Sequence, residues 1–424
     1  MIELDGLRSE KNKIVSALKK RGLKEIDKEL SKVIELDDQR KKLKSELDKI
    51  LEESNIIAKD IGINIRNGKK DLIDKLKKRS GELKEKSKLV SEDLKRVEIN
   101  LKDILCNIPN IPDEIVPDGN SEDDNKIVSS KKLKLSDKIV YKPHWDLIKD
   151  FNLIDFDIGN KITGAGFPVY VNKGAKLQRA LINYFLDEAI TNGYSEVQPP
   201  ILINEESGFG TGQLPDKEGQ MYKIEDENLY MIPTAEVPIT NIYRKKIIDK
   251  DTLPIKNVAY TPCFRREAGS WGSHVRGLNR LHQFDKVEIV QIENGNNSDK
   301  ALEEMCNYVE SLIKSLEISY RKLLLCGGDL GFTASITYDF EVYAPGQERW
   351  LECSSVSNFR TYQANRMNLK IRDGKNKILA NTLNGSALAL PRIVAAIIET
   401  HQNGKEINIP KILHKYTGFK KITL

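Results

Sequence analysis

An arginine and a glutamate near the middle of the chain are of the residue types that bind nucleotides. Arg265 and Glu267 end the string TPCFRRE, and Phe284 follows after a glycine-containing stretch. A guanidinium can make paired hydrogen bonds with a phosphate, and an aromatic ring can stack on a base. Together these residues indicate a nucleotide site, whereas the F-R-x-E string in isolation favours a solvated hairpin.

The sequence around these residues predicts two antiparallel strands joined by a loop. Residues 261–267 form the first strand. Residues 281–290 form the second, in which apolar and polar residues alternate through Phe284, Val287 and Ile289. This alternation is typical of a strand with one buried face. Such a pair can hold a guanidinium, a carboxylate and an aromatic ring around one small polyanionic ligand.

Three further polar groups stand at the ends of predicted elements. Residues 234–236 (Thr-Ala-Glu) follow an apolar run, and this local pattern alone favours an exposed turn. Residues 352–355 (Glu-Cys-Ser-Ser) end a predicted strand, where a buried carboxylate is costly unless it is paired. In residues 381–398 a strand of small residues runs into an apolar helix, with Arg392 at the junction.

The N-terminal quarter predicts two long helices that fold back on each other. Apolar residues recur every seven positions in two runs, at Leu36, Leu43, Ile50 and Ile57, then at Leu76, Leu83, Val90, Val97 and Ile104. Gly62, Asn67 and Gly68 lie between the runs and are predicted to break the helix. We therefore expect an antiparallel coiled coil of helices about 40 to 50 Å long that projects from the body.

Charge and composition narrow the class of protein. Residues 1–110 contain 28 Lys and Arg against 22 Asp and Glu, although the whole chain carries only +5. This asymmetry is a modest indication of nucleic-acid contact through the N-terminal part, and a solvated helical surface explains it equally well. No window approaches the roughly 20 apolar residues of a membrane span, and the N-terminus is too charged for a signal peptide. A cytoplasmic location without membrane association is expected.

Cysteine and histidine usage argues against a disulfide framework and a zinc site. The five cysteines are an odd number, lie far apart and include no C-x-x-C pair, and the five histidines include no H-E-x-x-H pair. We expect the cysteines to be reduced and mostly buried.

Prolines and glycines mark a domain boundary near Asn110. The stretch from Pro109 to Gly119 and the acidic run after it cannot continue a helix. Beyond about Ile139 helices and strands mix, as in an α+β body. We predict a helical arm in residues 1–110, a linker in 111–135 and a catalytic domain in 136–424.

Longer strings in the chain resemble one family. TPCFRREAG, RGL and HQFDKVE resemble motif 2 of the seryl-tRNA synthetases, which are class II aminoacyl-tRNA synthetases. GYSEVQPPIL resembles their motif 1, NTLNGSALALPRIVAAII their motif 3, and FGTGQLP a family loop. The resemblance spans nearly the whole chain. It implies an α+β catalytic domain built on an antiparallel sheet, preceded by a coiled-coil arm that binds the long variable arm of tRNA.

The resemblance also implies a role for each candidate residue. The expected ATP contacts are Arg265, Arg266, Glu267, Arg280, Leu281, Phe284, Glu352, Cys353, Ser354, Ser355 and Arg392. The expected serine contacts are Thr234, Ala235, Glu236, Arg265, Glu288 and Ser386. The residues expected to act in catalysis are Arg265, Glu267 and Arg392. Mg²⁺ is expected on Glu352 and Ser355, since it takes few protein oxygens.

The implied activity is ATP-dependent ligation of L-serine to tRNA(Ser) through a seryl adenylate, by a homodimer, with selenocysteine tRNA as a further possible substrate. Two alternatives remain open: a non-catalytic tRNA-binding relative, and a class II ligase that aminoacylates a carrier protein. The chain also departs from common family patterns. Ser273-His274-Val275 replaces a usual Arg-Asp-Thr in the motif 2 loop, which bears on contacts with the tRNA acceptor stem.

Overall fold

The structure, a computed structural model of the whole chain, describes residues 1–267 and 275–424. The middle of the predicted motif 2 loop, with Ser273 and His274, lies outside the described residues. The chain divides into two compact units, one formed by Met1–Lys19 with Leu23–Pro109 and the other by Lys20–Gly22 with Asn110–Leu424. In the described ranges no helix combines the length and the apolar character needed to cross a membrane.

The first unit is helical throughout. Its helices are α1 (Leu4–Ser9), α2 (Lys11–Lys19), α3 (Ile26–Arg66) and α4 (Lys70–Asn107). Helices α3 and α4 run antiparallel and bury a seam formed by Ile50, Ile57, Leu83 and Val90. Ion pairs from Glu53 to Arg79 and from Glu46 to Lys86 tie the two helices together on the solvent side. The predicted antiparallel coiled coil is confirmed.

The predicted break at Gly62 is wrong. Helix α3 continues through this residue to Arg66, because one glycine costs a helix only about 1 kcal/mol and the neighbouring Ile61 still packs against the seam. The turn lies at Asn67–Lys69, where Gly68 adopts a φ of +69°. With 41 and 38 residues, the helices are about 60 Å long, longer than predicted.

A buried carboxylate holds the short N-terminal helix against the long hairpin. The Asp37 side chain in α3 is 1% exposed and lies 2.6 Å from Arg8 of α1, 2.7 Å from Arg40 and 2.9 Å from Lys41. Burial alone raises the pKa of Asp37, but the three cations outweigh it and hold the pKa well below its usual range. The paired carboxylate therefore stabilises this unit wherever it is ionised.

The second unit is built of strands and shorter helices. Its helices are α5 (His144–Asp150), α6 (Phe156–Ile162), α7 (Asn172–Thr191), α8 (Glu205–Thr211), α9 (Glu236–Asn241), α10 (Ser298–Ser315), α11 (Tyr362–Met367), α12 (Leu390–Thr400) and α13 (His414–Thr417). Its strands are β1 (Lys126–Lys131), β2 (Ile154–Asp155), β3 (Val169–Tyr170), β4 (Ser195–Glu196), β5 (Leu202–Asn204), β6 (Leu229–Met231), β7 (Ile247–Asp249), β8 (Ile255–Phe264), β9 (Gln283–Glu293), β10 (Tyr320–Leu324), β11 (Ile336–Ala344), β12 (Arg349–Asn358), β13 (Lys370–Asp373), β14 (Asn376–Leu379), β15 (Asn381–Ala389), β16 (Glu406–Asn408) and β17 (Lys421–Thr423).

Eight of these strands form the main sheet, in the order β1-β10-β11-β12-β15-β9-β8-β4. Every neighbouring pair is antiparallel except β4 with β8. Helices α7, α10 and α12 pack on one face and form the main hydrophobic core with it. The opposite face of the central strands carries polar side chains. The α+β fold with an antiparallel sheet is confirmed.

Strand β9 differs from its prediction in burial. Every residue from Lys286 to Glu293 is buried, so the strand has two buried faces instead of one. Val287 and Ile289 face the hydrophobic core. Lys286 and Glu288 face the other way, into a polar pocket that the loops and helices on that side enclose. Alternation identifies the apolar face but says nothing about what covers the polar one.

Three local elements also refine the predictions. Strand β1 lies within the predicted linker and forms an edge of the main sheet. The string FGTGQLP begins inside helix α8, which ends at Thr211 and is followed by Gly212 with a φ of +90°. The strand of motif 1 is only two residues long, and Pro200 lies outside it.

We predict that Asp37→Asn destabilises the first unit by about 1 to 3 kcal/mol, because three cations lose a buried charged acceptor. The measurement is helix unfolding followed by circular dichroism. Asp38→Asn is the matched control, because Asp38 is 61% exposed and, within residues 1–267 and 275–424, forms its ion pair with Arg8 only. Since the pKa of Asp37 is depressed by folding, its contribution is complete at neutral pH and is lost as pH falls below about 4. Equal melting of the two variants would contradict the role of Asp37.

Candidate active site

The polar face of the main sheet gathers most of the residues predicted from the motifs. Ser386 on β15 is the cross-strand partner of Glu288 on β9, and its Oγ donates to Glu288 Oε2 at 3.1 Å. Two residues earlier on β15, Asn384 faces the same way. Its amide donates to Glu288 Oε1 at 3.0 Å and to Glu236 Oε2 at 2.9 Å. One side-chain amide therefore bridges two carboxylates.

Glu236 is buried at the first position of helix α9, in contrast to the exposed turn that its local sequence favours. Gln363 of α11 donates to Glu236 Oε1 at 2.7 Å, and Thr234 Oγ1 accepts the Glu236 amide at 3.3 Å. Ala235 contributes packing, in a small apolar cluster with residues of α9, β8 and β9. The exposed-turn interpretation fails because contacts distant in sequence, from α11 and β15, bury and pair this carboxylate.

Two carboxylates and one lysine line this pocket, and the guanidinium of Arg265 acts on it from the side. Lys286 Nζ lies 2.8 Å from Glu288 Oε2, and both side chains are buried. Burial, followed by the nearby charge of Glu288, raises the pKa of Glu236 to about 7. A cationic group of a ligand beside Glu236 would favour its ionised form. The pocket therefore suits a ligand that brings an ammonium group to Glu236 and a hydroxyl group to Glu288.

Arg265 and Phe284 lie next to this pocket. The guanidinium carbon of Arg265 is 5.2 Å from the centre of the Phe284 ring, and its Nε donates to the Pro233 carbonyl at 3.4 Å. Beyond them, Arg280 donates to Glu267 Oε2 at 2.9 Å. The structure thus places the Arg265 guanidinium against the Phe284 ring, as the sequence predicts for motif 2, and pairs the carboxylate of Glu267 with Arg280.

A β-bulge brings Glu352 and Ser355 onto the same side of strand β12. Residues three apart on a regular strand face opposite ways. Here Phe340 pairs with Ser354 and Glu341 with Glu352, so Cys353 is an extra residue. As a result, Ser355 Oγ donates to Glu352 Oε1 at 3.4 Å. The bulge therefore brings together the two oxygens, of Glu352 and Ser355, on which the sequence predicts Mg²⁺.

Arg392 closes this end of the site from the first turn of helix α12. Its Nη1 donates to the Glu352 carbonyl at 2.6 Å and lies 3.5 Å from the Glu352 carboxylate. Although desolvation alone raises the pKa of Glu352, Arg392 and then Arg265 outweigh it and lower that pKa. Glu352 is thus held as a carboxylate, and its side chain remains half-exposed.

Asp339 is a further carboxylate that sequence analysis does not identify. It lies on β11 directly opposite Ser355, and its Oδ1 is buried without a hydrogen-bond partner among the described residues. Burial and the charge of Glu352 raise its pKa well above the usual range. An unpaired oxygen of this kind, beside Glu352 and Ser355, fits a divalent cation. No set of three His, Cys, Asp or Glu side chains in the described ranges could hold a metal ion without other ligands.

Four predicted contacts lie elsewhere or face away. The side chains of Leu281 and Cys353 are buried in the hydrophobic core, so only their backbone groups could reach a ligand. Ser354 Oγ donates to the Ser386 carbonyl at 2.6 Å and thereby ties β12 to β15. Arg266 is exposed, and its backbone amide donates to the Gln220 carbonyl.

Sequence reasoning missed four polar residues of the site, and two of them leave a signal. Lys286 stands two residues before Glu288, and Asn384 stands two before Ser386. The period of a strand places each pair on one face. Gln363 and Asp339 have no such signal, because helix α11 and strand β11 bring them in from distant parts of the chain.

Comparison with known proteins agrees with this arrangement. Residues 1–112 match the family model of the seryl-tRNA synthetase N-terminal domain, and residues 222–401 match that of the class II tRNA synthetase core domain (G, H, P, S and T). The serine--tRNA ligase of Salinibacter ruber is 44% identical over 426 residues, covering 100% of this chain and 99% of the relative. That of Nautilia profundicola is 45% identical, covering 98% and 100%.

Solved structures show the same relationship. The seryl-tRNA synthetase of Pyrococcus horikoshii, determined in complex with ATP, has a TM-score of 0.90 and 32% identity over 100% of this chain and 99% of its own. The cytoplasmic serine-tRNA ligase of Naegleria fowleri, in complex with AMP, has a TM-score of 0.84 and 28% identity over 97% and 95%. From its motifs, its site and its full-length relatives, the chain belongs to the seryl-tRNA synthetases, within class II of the aminoacyl-tRNA synthetases.

Proposed function

We propose that this protein ligates L-serine to the 3′-terminal adenosine of tRNA(Ser), with ATP as the second substrate and seryl adenylate as the intermediate. The pocket in which Asn384 bridges Glu236 and Glu288 carries the proposal, because its carboxylates match the ammonium and the hydroxyl of serine. The test is amino-acid-dependent exchange between ATP and pyrophosphate with all standard amino acids. Exchange with another amino acid and none with serine would overturn it.

Serine binds through opposite ends of the pocket. Its ammonium pairs with Glu236 beside Thr234, and its hydroxyl hydrogen-bonds to Glu288 and Ser386. Alanine has no hydroxyl and would leave the buried carboxylate of Glu288 without that partner. A site built to hydrogen-bond a hydroxyl rejects an analogue without one by about 10⁴- to 10⁵-fold. Selectivity therefore rests on hydrogen bonding rather than on size alone.

ATP binds along β8, β9 and the start of α12. Phe284 stacks on the adenine, and Arg392 flanks the adenine and meets the γ-phosphate. Glu267 meets the adenine edge, and Arg265 spans the α-phosphate and the serine carboxylate. Arg280 supports the triphosphate end. Backbone groups of Leu281, Cys353 and Ser354 and the Arg266 side chain complete the predicted ATP contacts. The serine carboxylate then attacks the α-phosphate in line, which requires positioning and charge neutralisation but no general base.

Magnesium fits the oxygens gathered at the bulge. Glu352 and Ser355 would hold it, and the unpaired Oδ1 of Asp339 adds an acceptor for a ligand water. Such a sparse set suits Mg²⁺, which keeps several waters and phosphate oxygens in its shell. When bound, the ion neutralises charge on the phosphates.

The remaining predictions concern partners and place. We assign tRNA binding to the α3–α4 hairpin, and serylation of selenocysteine tRNA, the homodimer and the cytoplasmic location stay predictions. The assembled site argues against a non-catalytic relative, and the hairpin argues against a carrier-protein ligase. Exchange with serine distinguishes the first from an enzyme, and charging of purified tRNA distinguishes the second.

We predict that Arg265→Ala lowers the rate of serine-dependent exchange by about 10²- to 10³-fold, because a preorganised charge donor is lost from the reacting phosphate. The measurement is kcat for exchange at saturating ATP and serine. Arg372→Ala is the matched control, since Arg372 is exposed on β13 and is not among the predicted ATP or serine contacts, and a near-normal rate is expected. A near-normal rate in the Arg265 variant would show that the motif 2 assignment is wrong.

We predict that the KM for serine rises as pH falls below about 7, by at most about tenfold per pH unit. The raised pKa of Glu236 means that the carboxyl becomes neutral in this range and no longer pairs with the ammonium. The measurement is the serine KM in exchange between about pH 6 and 8.5. Glu236→Gln should give a high KM with a flatter profile. An unchanged slope in that variant would assign the titration to another group.

We predict that a shortened hairpin separates adenylate formation from tRNA charging. Residues 51–82 would be removed and Ile50 joined to Leu83 by a short glycine-rich turn. Exchange should survive, because no proposed ATP or serine residue lies in this range. Charging should fall steeply and depend less on salt, because phosphate contacts are lost. The shortening spares Arg21, whose guanidinium hydrogen-bonds within the second unit.

The control for this experiment exchanges the charges of one ion pair on the hairpin, Glu53→Arg with Arg79→Glu, and keeps its length. Charging should remain close to normal in this variant. Equal loss of exchange and charging in the shortened protein would indicate a structural role for the hairpin. Unchanged charging would exclude the removed part from tRNA binding.

A further inference from the structure

A fully buried histidine–glutamate pair lies behind the ATP site and has no role in the mechanism described above. His144 begins helix α5, and Glu399 lies near the end of helix α12. Both side chains are 0% exposed, and His144 Nδ1 is 2.9 Å from Glu399 Oε1. A buried carboxylate is costly unless it is well paired, so Glu399 needs several hydrogen-bond donors around it.

Five nitrogen donors surround the Glu399 carboxylate. Oε1 accepts from the His144 amide at 2.8 Å, from its Nδ1 and from Gln347 Nε2 at 2.7 Å. Oε2 accepts from the backbone amides of Gly346 at 2.8 Å and Gln347 at 3.2 Å. The carboxylate thereby joins helices α5 and α12 to the turn between β11 and β12.

The other ring nitrogen of His144 binds the segment of motif 2 that leads into strand β9. The Leu278 backbone amide donates to His144 Nε2 at 2.8 Å. Because an amide can only donate, Nε2 must be unprotonated, and the ring proton lies on Nδ1, where it donates to Glu399. Gly277 permits this approach: it has a φ of +65°, and a Cβ there would lie 2.3 Å from Nε2.

This network is connected to both cations at the triphosphate end of the site. Arg280 stands two residues after the pinned Leu278. Between them, Asn279 donates from its side chain to Gln347 Oε1 at 2.9 Å and accepts Arg392 Nε on its backbone carbonyl at 3.3 Å. Arg392 itself stands seven residues before Glu399, which is two turns earlier on helix α12. Both arginines are therefore positioned from one buried carboxylate.

We propose that His144 is a positioning residue for ATP, which sets the separation of Arg280 and Arg392 through Leu278 and Glu399. The inference rests on the proposed function, because it assigns those arginines to ATP. It predicts a selective defect. The serine pocket is built from Glu236, Glu288 and their partners, and none of them contacts this network in the described hydrogen bonds, so ATP binding should suffer and serine binding should not.

Two substitutions of His144 separate the contributions of its two ring hydrogen bonds, one to Glu399 and one from Leu278. In His144→Asn the amide can replace Nδ1 as a donor to Glu399, but it is too short to accept from Leu278. In His144→Gln the longer side chain can place an oxygen near Nε2. We expect the Asn variant to lose about ten- to hundredfold in kcat/KM for ATP, with a raised KM, and the Gln variant to recover part of that loss. The KM for serine should stay within about twofold in both.

His401→Asn is the matched control. His401 follows the same helix and also makes a hydrogen bond to a backbone group, the Leu316 carbonyl, at 3.0 Å. It should lower thermal stability without a shift in the KM for ATP. Hydrogen exchange of the peptide covering residues 276–281 provides a readout independent of activity. It should become faster in His144→Asn and remain normal in His401→Asn.

The outcomes distinguish this inference from the proposed function. If the unmodified protein shows no serine-dependent exchange, the proposed function fails, while the hydrogen-exchange result still tests whether His144 holds the loop. If the unmodified protein is active, the inference fails when His144→Asn keeps both a normal KM for ATP and a normal rate of hydrogen exchange in residues 276–281. Equal changes in both KM values, or the same ATP defect in His401→Asn, would also overturn it. Should His144→Asn not fold, Gln347→Ala removes the link to Asn279 and must raise the KM for ATP.

Discussion

Two carboxylates that must share a small buried pocket are the constraint around which the second unit is organised. Glu236 and Glu288 repel each other, and burial penalises both, so each needs fixed polar partners. Those partners come from β9, β15 and α11, namely Lys286, Asn384 and Gln363. The pairing of β9 with β15 and the packing of α11 bring these groups together from distant parts of the chain. The pKa of Glu236 nevertheless remains raised, so these partners do not fully offset burial and the repulsion between the two carboxylates.

The sequence predicted the helices, strands and motif residues of this site better than the contacts between them. The heptads predicted the α3–α4 hairpin, and the motif strings located Arg265, Glu288, Ser386 and Arg392. The bulge at Cys353 and the approach of Asp339 were not predictable, because a register shift between β11 and β12 depends on pairing rather than on local pattern. The burial of residues 234–236 was also not predictable, because the elements that cover them, α11 and β15, are distant in sequence.

The extra residue in β12 also shows how irregular backbone serves chemistry. Without it, the side chains of Glu352 and Ser355 would point to opposite faces of the sheet. The bulge costs part of a hydrogen-bond ladder and turns both oxygens toward Arg392 and Asp339. A deletion of one residue there would restore the regular register and separate the two side chains.

The ends of the main sheet have a consequence for how copies of this protein meet in a crowded solution. A long, flat edge strand invites pairing with the edge of another molecule and can seed aggregation. Strand β4 ends the sheet after two residues, and β1 at the other end is irregular between Ile127 and Ser129 and carries a lysine at each terminus. Ile127 and Val128 remain exposed. The charged flanks and the broken register of β1 therefore protect an otherwise adhesive edge.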